Sequence, residues 1–286
     1  MADQTKAELQ KVLAFFCRHL IGLAVTFSQR NENDEADLRT EFFSATLIIF
    51  SNQCYLLTAG HSLKDLNAAM ISGQIEISSA QLVDYLGAQA VHYEPIPFDF
   101  TNAAIFYFFD KDWGLDFGLV RLDPYYVRLL GKNGVVAIER KNWEHQDEID
   151  FDVFFMLGLP DEFSKPQPAK NDNKTTGFYE ISPTLISVKR TTELPEDVKT
   201  TKFSRFIGRV GNLGELKSIK GMSGGPIIGF VHGENGEPGR YWIVAIQSMW
   251  KRSDKLIFGC PVPVLADIVE TAIRDAAAST HEGACA

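Results

Sequence analysis

Cysteine is scarce. Cys17, Cys54, Cys260 and Cys285 are the only four in 286 residues. They are scattered, with no C-x-x-C and no paired histidine spacing, so they outline neither a disulfide framework nor a zinc site. A reducing, cytoplasmic setting is the simplest expectation. Long apolar runs are also missing: no stretch approaches the roughly 18 uninterrupted residues that a membrane-spanning helix needs. Positive charge is in deficit, with 28 Lys+Arg against 37 Asp+Glu and a net charge of −9. A nucleic-acid binder held by phosphate contacts needs clustered positive charge, so that class is excluded. A secretory signal is not indicated either. Asp3 and Glu8 stand where a positive segment belongs, and Arg18 and His19 interrupt the apolar stretch 12–17.

What is present is an ordinary globular composition, 45% hydrophobic and 23% charged, which excludes disorder and coiled coil. Leu9, Val12, Leu13 and Phe16 recur at helical spacing, so residues 3–19 are expected to form an amphipathic helix. The pattern then changes to short β-branched and aromatic runs separated by turn residues. Strands are expected over 21–28, 43–50, 54–58, 103–109, 117–122, 153–157, 181–188, 227–231, 241–246 and 256–260. The polar stretch 29–39 and the proline-bearing stretch 164–175 read as loops. Asp123-Pro124 opens a short helix over 125–130. Val264, Leu265, Ile268, Val269, Ala272 and Ile273 mark a C-terminal amphipathic helix. Many short strands over this length predict an all-β protein of two sandwiches or barrels with helical ends.

Three segments carry chemistry. Leu56-Leu57-Thr58-Ala59-Gly60-His61 is a strand ending in a small-residue turn that presents a histidine. Asp116-Phe117-Gly118-Leu119-Val120-Arg121-Leu122 is an aspartate opening an apolar strand. Gly221-Met222-Ser223-Gly224-Gly225-Pro226 is a glycine-dense loop around a serine. A serine hydroxyl is a poor nucleophile until an imidazole takes its proton, and a buried carboxylate fixes the imidazole tautomer. Glycines let the backbone aim two N–H groups at one point, where an oxyanion can sit. Each segment alone has an ordinary explanation as a tight turn, a structural histidine or a strand end. Their conjunction, in the order His, Asp, Ser, is far more specific.

The three segments resemble the histidine, aspartate and G-x-S-G-G-P motifs of the chymotrypsin/trypsin-like serine proteases. Met156-Leu157-Gly158-Leu159-Pro160 and Val244-Ala245-Ile246-Gln247-Ser248 resemble lesser marks of that family, and the likeness spans about 20–278. The resemblance implies two packed antiparallel β-barrels, 20–122 carrying His61 and Asp116 and 136–262 carrying Ser223. A linker over 123–135 would join them, with a C-terminal helix over 263–278 and a frayed tail over 279–286. It implies a serine endopeptidase without cofactor or metal. His61 would act as base and then acid, Asp116 would orient it, and Ser223 would attack. The N–H groups of Gly221 and Ser223 would form the oxyanion hole, and Ser248 would hydrogen-bond Asp116. Lys217 would lie at the specificity-pocket floor, with Gln247, Ser248, Trp250 and Leu256 or Ile257 along its walls. Large residues there, in place of glycines, would narrow the pocket, and an inward Lys217 ammonium would attract a carboxylate. Cleavage after small or acidic side chains is therefore expected. A Lys217 turned to solvent would leave a shallow apolar pocket.

Two departures matter. Ser62 stands where secreted animal members carry a bridged cysteine. Met222 stands where zymogen-activated members carry an aspartate that pairs with a new N-terminus. The bacterial and intracellular branches are the nearer match, and control by a partner protein or by substrate access is expected. Two other classes compete. G-x-S-x-G also marks the α/β-hydrolase elbow, but that family runs Ser, acid, His, and only His232 and His281 follow Ser223. A protease-like scaffold that binds partners without cutting is the other, since fold does not guarantee activity. The partners expected are a polypeptide substrate and a regulatory protein, with no nucleic acid and no membrane.

Overall fold

The computed structural model describes residues 2–30, 36–167, 178–211, 213–214, 216–233 and 239–282. Expected features over 168–175, and the last residues of the tail with Cys285, lie outside them. Helix α1 (Ala2–Phe16) runs through a short 3-10 turn into β1 (Leu20–Arg30). Then follow β2 (Ala36–Phe50), β3 (Gln53–Thr58), α2 (Gly60–Ile71), β4 (Ile75–Val83), β5 (Ile96–Pro97), β6 (Ile105–Asp110) and β7 (Leu115–Arg121). These strands form one seven-stranded antiparallel sheet in the order β5-β4-β1-β2-β3-β7-β6. Helix α3 (Pro124–Lys132) starts the connection to the second half.

The second half contains β8 (Val153–Gly158), β9 (Ser164–Gln167), β10 (Phe178–Ile181), β11 (Thr184–Arg190) and β12 (Phe206–Val210). It continues with β13 (Pro226–Val231), β14 (Arg240–Lys251) and β15 (Leu256–Pro261), and ends in α4 (Val262–Glu282). Six of these strands close into a barrel, β11-β12-β15-β14-β13-β8, while β9 and β10 pair as a separate ribbon. The protein is mostly β, in two antiparallel halves, as a two-barrel chymotrypsin-like architecture requires. Only the second half closes its ladder; the first keeps β5 and β6 as edges.

Apolar alternation explains the strands, and turn chemistry explains their ends. Ser51 and Asn52 take positive φ (46° and 63°) between β2 and β3, the primed-turn geometry that matches strand twist. The largest core cluster joins the halves: Leu57, Phe117 and Leu119 pack with Leu157, Leu159, Ile228 and Ile246. Phe16 and Leu265 bury into the same cluster, with Val12 and Leu13 against it. Both terminal helices therefore dock on the seam between the halves. Leu9 departs from the expected stripe and is half exposed. The C-terminal helix extends past Ala278 to Glu282, where a frayed tail was expected. No helix among the described residues is long and apolar enough to cross a membrane.

Candidate active site

The cleft is built where strands of the two halves end against each other. Strand β3 delivers Thr58, and the chain turns through Ala59 into α2, whose second residue is His61. Gly60 is obligatory here: a Cβ would lie 2.6–2.8 Å from the backbone of Phe117 and Phe108. That close approach brings His61 onto β7, where Asp116 sits among buried apolar neighbours. Asp116 holds the histidine at two points. Its Oδ1 accepts the His61 backbone N–H at 2.8 Å, and its Oδ2 accepts His61 Nδ1–H at 2.7 Å. This pairing raises the His61 pKa above its ordinary value, with burial opposing and the Asp116 and Asp65 charges adding to the rise. The bond at Nδ1 leaves Nε2 as the proton acceptor, the tautomer a general base needs.

Ser223 comes from the other half, in the loop before β13. Gly221 and Gly224 take φ of +88° and +89°, a region that L side chains rarely enter. Neither has room for a side chain. A Cβ on Gly221 would meet Asp161, and one on Gly224 would press on Thr58 Oγ1 and the Ser44 carbonyl. Within the loop, the N–H groups of Met222, Gly224 and Gly225 bond to Ile219 O, Gln247 O and Met222 O. Those of Gly221 and Ser223 bond to nothing among the described residues. Their orientation is nonetheless fixed, because the peptide unit is planar and trans. Lys220 O, opposite the Gly221 N–H, accepts from Asp161 N–H at 2.9 Å, and Met222 O, opposite the Ser223 N–H, accepts from Gly225 N–H at 3.0 Å. Two oriented, unspent donors flank the serine, as stabilising a developing oxyanion demands.

His61, Ser223 and Gly221 line one cavity of about 410 Å³, together with Glu41 and Asp161. Ser223 Oγ and His61 Nε2 make no hydrogen bond among the described residues, a contact that commonly tightens only when substrate is bound. The Asp161 carboxylate beside Gly221 is paired with Lys220 Nζ at 3.0 Å, which offsets its charge near the free donors. A second cavity of about 650 Å³ lies on the other side of His61, lined by Asp116, Phe109, Arg205, Ser248 and Met249.

No protein-family model matches the sequence, and neither does any curated protein. Among solved structures, the chain is similar to the protease Anisep from Arthrobacter nicotinovorans: 13% identical, covering 85% of this chain and 90% of that one, with a TM-score of 0.43. It is also similar to a thermostable serine protease, AL20, from an extremophilic microorganism: 14% identical, covering 84% and 90%, with a TM-score of 0.39.

The residues expected around the specificity pocket are distributed differently. Lys217 is exposed, not at a pocket floor, and its backbone N–H is tied to Glu162 Oε1 at 2.7 Å. Ile257 is fully buried in the barrel core with Val188 and Ile186, and Leu256 is buried as well, so neither lines a wall. Trp250 packs half-buried on that same core. Gln247 acts through its backbone, which bonds Gly224 and Gly225 and so anchors the serine loop. Ser248 lines the second cavity, but its hydroxyl donates to Phe258 O at 3.1 Å rather than to Asp116, both of whose oxygens are engaged by His61. Cys17, Cys54 and Cys260 are free. Burial pushes the Cys17 and Cys260 thiols up to about 12, so neither competes as a nucleophile. Among the described residues, no group of three or more His, Cys, Asp or Glu could hold a metal ion. Sequence reasoning missed Ser44 and Asp161, which brace the serine loop and lie in no recognised motif, and it gave Leu159, within the Met156–Pro160 segment, no role of its own.

Proposed function

We propose that the chain is a serine endopeptidase. Ser223 Oγ attacks the scissile carbonyl while His61 Nε2 takes its proton. The carbonyl oxygen becomes an oxyanion held by the Gly221 and Ser223 N–H groups. His61 returns the proton to the leaving amine, and water then hydrolyses the acyl-enzyme by the same exchange. One observation carries this reading: the two-point clamp of His61 on Asp116 opens on the same cavity as a serine flanked by two unspent N–H groups. Labelling with a fluorophosphonate tests it. Stoichiometric modification that requires both Ser223 and His61 is expected. Absence of labelling would instead support a protease-like module that binds without cutting.

A specificity site that takes small side chains on the acyl side of the bond is carried forward from the sequence pattern alone, since Trp250 packs on the second-barrel core and lines neither cavity beside His61. The acidic preference expected from Lys217 is withdrawn, since that side chain is exposed. Dominant cleavage after Arg, Lys or Phe in a peptide library would overturn the small-residue assignment. Met222 is fully buried in apolar surroundings and offers no carboxylate to a newly cut N-terminus. Control by a partner protein or by substrate access fits that loop better than zymogen cleavage. Rapid digestion of casein by the purified chain alone would count against such control.

A further inference from the structure

The Ser44 hydroxyl lies outside the triad but touches its machinery. Ser44 is on β2 of the first half and is fully buried. Its Oγ–H donates to Gly221 O at 3.0 Å, and its Oγ accepts the Leu159 N–H at 2.8 Å. Its carbonyl in turn accepts from Thr58 Oγ1 at 2.7 Å. Both capacities of one hydroxyl are thus spent on the second half: on the serine loop and on the segment after β8.

The bond to Gly221 O falls at a particular peptide plane. The two oxyanion-hole donors belong to the Lys220–Gly221 and Met222–Ser223 peptides, and the Gly221–Met222 peptide lies between them. Its N–H end bonds Ile219 O at 3.1 Å, and its carbonyl end bonds only Ser44 among the described residues. Rotation of that plane would splay the two donors apart. Gly221, already at positive φ, gives the hinge its freedom. We infer that Ser44 is a positioning residue for the oxyanion hole, a hydroxyl supplied by one half of the molecule to set the angle between two N–H groups in the other. This rests on the proteolytic reading above. Without the hydroxyl, the half-buried Gly221 O loses the partner that fixes its direction, and the peptide plane is free to turn toward water or another donor.

The experiment compares Ser44→Ala, Ser44→Cys and Ser44→Thr with wild type, each normalised by fluorophosphonate active-site titration. Ser44→Ala should lower kcat per active site by about 10- to 100-fold, less than loss of a hole donor itself, with KM nearly unchanged. Affinity for a peptide boronic acid, whose tetrahedral oxygen occupies the hole, should fall in step with kcat. Ser44→Thr, which keeps the hydroxyl, should recover most of both. A merely structural role would lower the active fraction and Tm without moving kcat per active site or boronate affinity, and that result overturns the inference. Should Ser44→Ala not fold, Ser44→Cys keeps the volume with a weaker donor. An intermediate loss of kcat then supports the inference, and wild-type kcat with a normal Tm overturns it. Failure of wild type itself to label would sink the proteolytic reading and this inference with it. Normal labelling with an unaffected Ser44→Ala enzyme would sink the inference alone.

Discussion

Two histidine–aspartate pairs in this molecule share a bonding pattern and differ in nearly everything around it. In both, one carboxylate accepts the histidine's own backbone N–H and its Nδ1. For His61 and Asp116 the distances are 2.8 and 2.7 Å, one to each oxygen. For His232 and Asp152 they are 2.7 and 3.1 Å, both to Oδ2. Asp116 has a side chain only 10% exposed, whereas Asp152 and His232 are 49% and 71% exposed. The outer pair is open to water, with Phe230 edge-on to the His232 ring, and no serine loop lies beside it among the described residues. A dyad is therefore local geometry that the backbone supplies readily. What makes one of them a candidate base is low dielectric around its carboxylate and a nucleophile delivered from another part of the chain.

Breaking the inner pair should have the largest effects. Ser223→Ala should reduce peptide hydrolysis by roughly 10⁴- to 10⁶-fold, the scale of triad knockouts. Asp116→Asn should cost about 10⁴-fold by favouring the wrong tautomer. Because Asp116 raises the His61 pKa, the acid limb of kcat/KM should lie above the ordinary histidine value. Activity should be lost as pH falls through it, when the imidazole charges and can no longer accept a proton. An acid limb below that value would contradict the assignment.

A third histidine sharpens the contrast. His19 is buried without a carboxylate, between Val136 O and the Tyr241 hydroxyl, each at 2.7 Å. Burial lowers its pKa to about 4. The unfolded chain then binds the proton first, so stability is fully present above the unfolded value. It should drop by about 3 kcal/mol as pH falls from there through 4. Denaturant titrations across that range, with and without His19→Gln, measure the drop; an equal pH slope in both proteins would refute it. The smallest effect belongs to the outer pair. Asp152→Asn should leave kcat/KM within about twofold and the thermal midpoint close to that of wild type, as exposed substitutions do.

The fold was legible because it is written in local alternation and turns. Each expected strand falls wholly or largely within a strand or at its end, and Asp123-Pro124 does open α3. What escaped was set by pairing rather than by local pattern. Strand β2 reaches back to Ala36, through a stretch whose polarity reads as loop, because that stretch pairs in register with β1 from Arg30 to Thr26. Helix α2 begins at Gly60 and so carries His61 in its first turn, β4 follows it, and neither announces itself beside the stronger motif. At the site, the motif residues name themselves because their chemistry needs rare neighbours. Their supports do not. Ser44 is an ordinary serine in an apolar strand, and only the packing of the halves reveals what its hydroxyl holds. Lys217 and Ile257 were misjudged for the converse reason. Their positions were counted along the chain, whereas a pocket depends on which way side chains turn.

The seat of Gly224, with no room for a side chain between Thr58 Oγ1, the Ser44 carbonyl and Ala59 N, has a consequence for synthesis. Asp116, the later of the two first-half residues, leaves the ribosome roughly a hundred residues before Ser223, an interval of about 5–20 s at ordinary elongation rates. Throughout it, the first half presents a histidine and a carboxylate with no serine to activate. The serine loop is tied to Gln247 and Asp161 of its own half, and Ser44 of the finished half completes its support. On the proteolytic reading, a nascent chain would be unable to cut its neighbours on the polysome, and competence would arrive late, with the docking of the two halves.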